Sequence, residues 1–272
     1  MKFTRAFTLV AVMALAGCRA AAPPVILSSG PAPRMEVFLL VGQSNMAGRG
    51  AVEDEDRLPT PRVMMFDRND QWVPAVDPVH FDKPTAGVGP GRAFGVAISR
   101  RDTDADIGLV PAAVGGTSIV WWEPGAQDPA TKLHPYDDAI RRARLALKSG
   151  YLAGIIWHQG ESDANAQAAP LYAERLRALV ARFRADLGAP EVPFIVGQLG
   201  RFPERPWHQY LAQIDAVHRA LPFQVSRAAY VSADGLTHRG DTLHFDSRSA
   251  REFGRRYASV FLALRDSVSA HK

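Results

Sequence analysis

Ser44 stands just beyond an apolar run, Val37 to Gly42, with an amide on either side of it, Gln43 and Asn45. An apolar run closed by glycine is the pattern of a strand buried in a parallel sheet, and ligands in such sheets gather beyond the carboxyl ends of the strands. A hydroxyl at that place suggests a nucleophile. If Met46 to Gly48 continue as a helix, its first free N–H groups face an anion forming at the serine's substrate. A serine attacks only when a base takes its proton, and neutral histidine suits that task near pH 7. His244 is a candidate, in a polar cluster near the C-terminus that precedes a helix-like segment. Asp241, three residues earlier, could hold the other ring nitrogen, fixing the tautomer and stabilising the imidazolium. A third polar cluster, His158-Gln159-Gly160-Glu161, follows the strand-like stretch Gly154 to Trp157. Its Glu161 is the rival for the orienting carboxylate, with Asp246 a weaker third, and His158 is expected to orient its own loop. Each residue also has an ordinary role: Ser and Asn in turns and N-caps, Asp241 as a cap or Asx turn.

Strands must deliver these groups to one edge. Besides the first strand, strand patterns occupy residues 62–67, 106–114, 152–157, 192–199 and 228–232. Helical spacing occupies 92–101, 136–149, 171–187, 208–221 and 247–264, the last with an N-cap near Asp246 or Ser247. Strands alternating with helices imply an α/β fold, a mostly parallel sheet covered on both faces. No internal repeat stands out, and 272 residues suffice for one large domain. Gly-x-Ser-x-Gly is absent, which argues against the α/β-hydrolase fold.

Gly42-Gln43-Ser44-Asn45, His158-Gln159-Gly160-Glu161 and Asp241-x-x-His244, in that order, resemble the signature of the SGNH hydrolases. The likeness is specifically to the sialate O-acetylesterase and acetyl xylan esterase group, carbohydrate esterase family 6, and runs from about Glu36 to about Leu264. Gln43 and Gln159 depart from the wider superfamily, which has Gly-Asp-Ser and an Asn at those blocks, while fitting the esterase group. The resemblance implies a three-layer sandwich with a flavodoxin-like sheet. It also implies a serine esterase that removes O-acetyl groups from sialic acid, xylan or a similar glycan through an acetyl-enzyme. Ser44 would attack and His244 would shuttle the proton. The oxyanion donors would be the Ser44 and Gly116 backbone N–H groups and the Gln159 side-chain amide. Gly115-Gly116 suits such an approach, because glycine has no Cβ in the way, and equally suits a plain turn. Two alternatives stand beside this reading: a general carboxylesterase or thioesterase for small acyl esters, and a non-catalytic carbohydrate-binding surface lipoprotein.

Trp121 and Trp122 follow the glycine pair and could wall a sugar ring or an acetyl methyl, or simply be buried. Arg92, in the glycine-rich stretch 87–92, could meet a carboxylate on a sugar, but the ordinary expectation for such a loop arginine is to face solvent. That stretch lacks the Gly-Lys-Ser/Thr ending of a phosphate loop, so nucleotide binding is not expected. The eight histidines form no His-Glu-x-x-His and there is no cysteine pair, so neither metal nor other cofactor is expected.

Lys2 and Arg5 precede an apolar stretch, Ala6 to Ala16, too short to span a bilayer and shaped like a secretory signal. It ends in Leu15-Ala16-Gly17-Cys18, which resembles the lipobox of bacterial lipoproteins. The expected organisation is a signal peptide over 1–18, a flexible tether over 19–34 and one esterase domain over 35–272. Cys18 would then be lipidated and hold the protein outside the cytoplasm on a cell-envelope membrane; the alternative is a plain signal peptide cut near Ala20 to Ala22. As the only cysteine, Cys18 excludes an intramolecular disulfide. Without Lys2 and Arg5, the 32 lysines and arginines become 30 against 28 acidic residues, a balance that makes no electrostatic case for nucleic acid.

Overall fold

Met35–Gly42 forms strand β1, and all eight of its residues are buried. In the computed structural model, which describes residues 35–269, six further strands join it: β2 (Val63–Phe66), β3 (Trp72–Pro74), β4 (Ile107–Pro111), β5 (Gly150–His158), β6 (Phe194–Gly197) and β7 (Ala228–Val231). The expected signal peptide, Cys18 and the expected tether lie outside the described residues. The sheet runs β3-β2-β4-β1-β5-β6-β7, parallel throughout except for β3, which pairs antiparallel with β2. The order reverses at β1, the doubly wound arrangement whose crevice beyond the strand ends receives ligands. β2 lies one place further out than in the simple flavodoxin order, because β4 intervenes between it and β1.

Alternate residues of β1 enter opposite cores. Val37, Leu39 and Val41 pack with helices α3 (Pro135–Ala146), α4 (Tyr172–Asp186) and α5 (Gln209–Gln224). Phe38 and Leu40 pack with α2 (Pro90–Arg101) and α6 (Ser247–Ser269). This is the expected three-layer sandwich, and it explains why β1 reads as continuous apolar sequence rather than as polar-apolar alternation. Phe38 anchors its side through edge contacts to Phe94 and Phe261, with ring centroids 4.8 and 5.0 Å apart. Each large apolar side chain buried this way contributes about 1.5 to 3 kcal/mol.

Two elements begin where sequence patterns are weakest. β3 is a three-residue edge strand ending in Pro74, and three residues show no period. α2 starts at Pro90 inside the glycine-rich stretch, because proline's fixed φ and missing N–H suit the first helical turn. α6 is capped as expected, Asp246 Oδ1 accepting the Ser249 N–H at 2.7 Å, and runs on past Leu264. Among the described residues no helix is long and apolar enough to cross a membrane.

Among the described residues three histidines are buried in these cores. Burial pushes the imidazole of His80 down to about 4 and that of His218 to about 3, and lowers that of His158, because the charged ring would lose its water. In the unfolded chain they protonate near the ordinary 6.5. Between pH 6.5 and 4 the unfolded state therefore binds more protons, and stability falls as pH falls, each such proton weighing about 1.4 kcal/mol per pH unit. Asp77, which burial raises to about 7, and Asp163, which burial also raises, act in the opposite sense but are outnumbered by the three imidazoles. Thermal unfolding from pH 7 down to 4.5 should show a steadily decreasing Tm; a flat or rising Tm would contradict this packing.

Candidate active site

The sheet register sets the site. Gly42 at the end of β1 lies beside His158 at the end of β5, and the Gln43 N–H donates to the His158 carbonyl at 2.8 Å. Gly42 has φ +125°, and a Cβ there would fall 2.1 Å from the His158 oxygen, so only glycine permits the two motif strands to converge. Ser44 then opens a short helix, α1 (Ser44–Ala47), with its own N–H without a partner among the described residues. From this position its Oγ meets His244 Nε2 at 3.0 Å, although 200 residues separate them.

Asp241 holds the other side of the ring, with Oδ2 at 2.7 Å from His244 Nδ1. A carboxylate can only accept, so Nδ1 carries the proton and Nε2 is left to accept from the Ser44 hydroxyl. Asp241 Oδ1 accepts the backbone N–H groups of His244 at 2.8 Å and Leu243 at 3.0 Å, so the turn that carries the histidine also grips the group that orients it. Partial burial would raise the Asp241 carboxyl, but the His244 N–H, the His244 ring and the Leu243 N–H outweigh it and hold it at about 2. It is therefore ionised throughout the working pH range.

Glu161, the rival carboxylate, goes elsewhere. The turn after β5 sets it against Asn45, whose Nδ2 donates to Glu161 Oε1 at 2.8 Å, and it forms no bond to the imidazole. Asp246 is likewise committed, to Thr237 and to the α6 cap. His158 is fully buried, bonded through Nε2 to the Gln198 carbonyl at 3.0 Å and packed edge-on against Phe245 and Phe253, an orienting role of the kind expected.

On the oxyanion side the structure separates two of the expected donors. Gly116 is exposed with φ +86°, and its N–H has no partner among the described residues. Its neighbour is fixed: the Gly115 N–H donates to Asp82 Oδ2 at 2.8 Å, and Asp82 forms a buried ion pair with Arg49 at 2.7 Å. A Cβ on Gly115 would lie 2.3 Å from Arg49 Nη2. Gln159 corrects the expectation of a side-chain donor. It is fully buried, both hydrogens of Nε2 go to Thr117 O and Asp163 Oδ2, and Oε1 accepts from Tyr172, so nothing of its amide is left for an oxyanion. What Gln159 does instead is tie the 114–117 turn to the end of β5.

Trp122 is buried against Trp157 and Phe183, and Trp121 beside it is half-buried. Arg92 does not face solvent freely: it donates to the Leu58 and Ala75 carbonyls and pins a loop. Sequence reading missed Arg49, Asp82 and Asp163, and no spacing announces them, because each acts on a turn far away along the chain. Among the described residues no three His, Cys, Asp or Glu side chains gather as a metal site.

Residues 34–263 match the family described as carbohydrate esterase, sialic acid-specific acetylesterase. A probable carbohydrate esterase from Arabidopsis thaliana is 33% identical over 258 residues, spanning 86% of this chain and 92% of that relative. The X-ray structure of an Arabidopsis thaliana protein superposes with a TM-score of 0.75 at 30% identity, covering 85% of this chain and 99% of its own. NanS gives 0.68 at 17% identity over 86% and 98% of the two chains. A carbohydrate acetylesterase from Xanthomonas citri gives 0.62 at 21%, over 82% of this chain and 55% of that one. At these last two identities the likeness speaks for the fold alone.

Asp241→Asn tests the orienting carboxylate. An amide can present N–H to Nδ1 and reverse the tautomer, so turnover of p-nitrophenyl acetate should fall about 100-fold or more. The Tm should stay within a few degrees of wild type, since Asp241 is exposed on one side. Unchanged turnover would remove Asp241 from the site.

Proposed function

The chain belongs to the sialic acid-specific acetylesterase family of carbohydrate esterases, which makes it a carboxylic ester hydrolase acting on carbohydrate acetyl groups, and from that premise we propose a serine mechanism. Ser44 Oγ attacks the acetyl carbonyl while His244 Nε2 takes its proton. Asp241 balances the imidazolium, and the Ser44 and Gly116 N–H groups receive the oxyanion. Collapse expels the sugar oxygen, which takes the proton back from His244, leaving acetyl-Ser44. Water, deprotonated by the same His244, then attacks the acetyl carbonyl; collapse breaks the bond to Ser44 Oγ, which takes the proton from His244 as acetate leaves. The observation that carries this reading is the chain of contacts from Ser44 Oγ through both ring nitrogens to Asp241, at 3.0 and 2.7 Å.

The substrate in this proposal is an O-acetylated glycan of the sialic acid or xylan type. A lipid anchor at Cys18, outside the cytoplasm, completes it, supported by Lys2 and Arg5, the apolar stretch after them and Leu15-Ala16-Gly17-Cys18. The described domain begins at Met35, at the end of β1 opposite Ser44.

Acetate release by the full chain from p-nitrophenyl acetate, p-nitrophenyl butyrate and a panel of acetylated sugars, with Ser44→Ala in parallel, tests the proposal. The expected result is release that drops steeply from acetate to butyrate and nearly vanishes in folded Ser44→Ala. Full activity in folded Ser44→Ala would overturn the mechanism, and a preference for butyrate would overturn the acetyl specificity.

A further inference from the structure

Asn45 spends its amide on the surroundings of the reacting groups. Nδ2 donates to Glu161 Oε1 at 2.8 Å and to the Leu243 carbonyl at 3.1 Å, and Oδ1 accepts the Phe245 N–H at 3.1 Å. Leu243 and Phe245 are the peptide neighbours of His244. The residue that follows the nucleophile therefore grips the chain on both sides of the base, across about 200 residues of sequence.

An amide can sit in two orientations that fill the same space, and only one serves here. Reversed, Oδ1 would face the Leu243 carbonyl and Nδ2 would face the Phe245 N–H, each pairing like with like. Glu161 selects between the two, because a carboxylate is acceptor only and demands the NH2 end. Asn45 is the one residue hydrogen-bonded to this carboxylate among the described residues, and Glu161 Oε2 is buried with no partner. A carboxylate with one buried oxygen left unpaired is a poor device for stability, which leaves the orientation of Asn45 as what it accomplishes.

We propose that Asn45 and Glu161 are a positioning pair: Glu161 sets the orientation of the Asn45 amide, and the amide holds His244 Nε2 at reaction distance from Ser44 Oγ. Neither touches the ester. The inference rests on the serine-esterase reading above.

The test uses the full chain and p-nitrophenyl acetate, with kcat, KM and Tm measured for Asn45→Ala, Glu161→Ala, Glu161→Gln, the double alanine variant and Ser44→Ala. Misplacing a base by about 1 Å costs about 100-fold, so Asn45→Ala should lose about 10- to 100-fold in kcat with KM changed less than about twofold. Glu161→Ala should lose in the same direction. Glu161→Gln, which keeps an acceptor oxygen, should recover most of that loss. The double variant should be no slower than Asn45→Ala, because Glu161 acts only through Asn45. Losses that multiply, or Glu161→Gln as slow as Glu161→Ala, would overturn the pair and favour a direct role for the carboxylate. If Asn45→Ala does not fold, the comparison of Gln with Ala at position 161 decides alone. Wild-type rates in Asn45→Ala beside an inactive Ser44→Ala would sink this inference only, whereas an active Ser44→Ala would sink the reading beneath it.

Discussion

The site hangs from the backbone of Gly42. Its carbonyl accepts the Val114 N–H at 2.9 Å from the end of the β4 segment, and the next N–H, that of Gln43, donates to His158 at the end of β5. Three strand ends therefore converge where there is no Cβ to hold them apart. Every group around Ser44 is placed by what leaves this junction: α1 from β1, the Gly115-Gly116 turn after β4, and the Gln159 to Asp163 turn after β5. A side chain at position 42 would separate the nucleophile from both of the turns that flank it.

The fourth component arrives from the far end of the chain. α6 packs on α2 over the face of the sheet lined by Phe38 and Leu40, and the loop preceding it lies across α1. Phe245 enters the core beside His158 and Phe253, while its neighbour His244 stays at the surface facing Ser44. Apolar burial supplies the energy that docks this loop, and polar contacts set its final position. Arg239 donates to the Arg49 carbonyl at 2.6 Å, and Ser247 Oγ to that of Ala51 at 2.6 Å, so the segment after α1 is stitched to the histidine loop along its length. The buried Arg49 and Asp82 pair follows the same logic. Such pairs add little net stability after desolvation, but they impose one geometry, here on the Gly115 turn.

Local patterns made much of this legible. β1, the serine after it and the Asp241 to His244 spacing are all statements about residues within a few positions of one another, and the structure brings Ser44, His244 and Asp241 together as that spacing suggests. Long-range pairing was not legible. Choosing between Asp241 and Glu161 required knowing that Glu161 is taken up by Asn45 while Asp241 reaches the ring. The expectation for Gln159 failed for the same reason: an amide beyond a strand end looks free until Thr117, Asp163 and Tyr172 fold around it. The missed β3 and the early start of α2 were obscured instead by shortness and by proline and glycine, where periodicity carries no signal.

The central claim is that one hydroxyl, that of Ser44, is made nucleophilic by the histidine beside it. Labelling the full chain with a fluorophosphonate and mapping the modified peptide tests this most directly. The account predicts a single adduct on Ser44, forming in step with the loss of esterase activity and strongly slowed in His244→Ala. An adduct on another residue accompanying that loss, or full activity retained with Ser44 completely labelled, would contradict it.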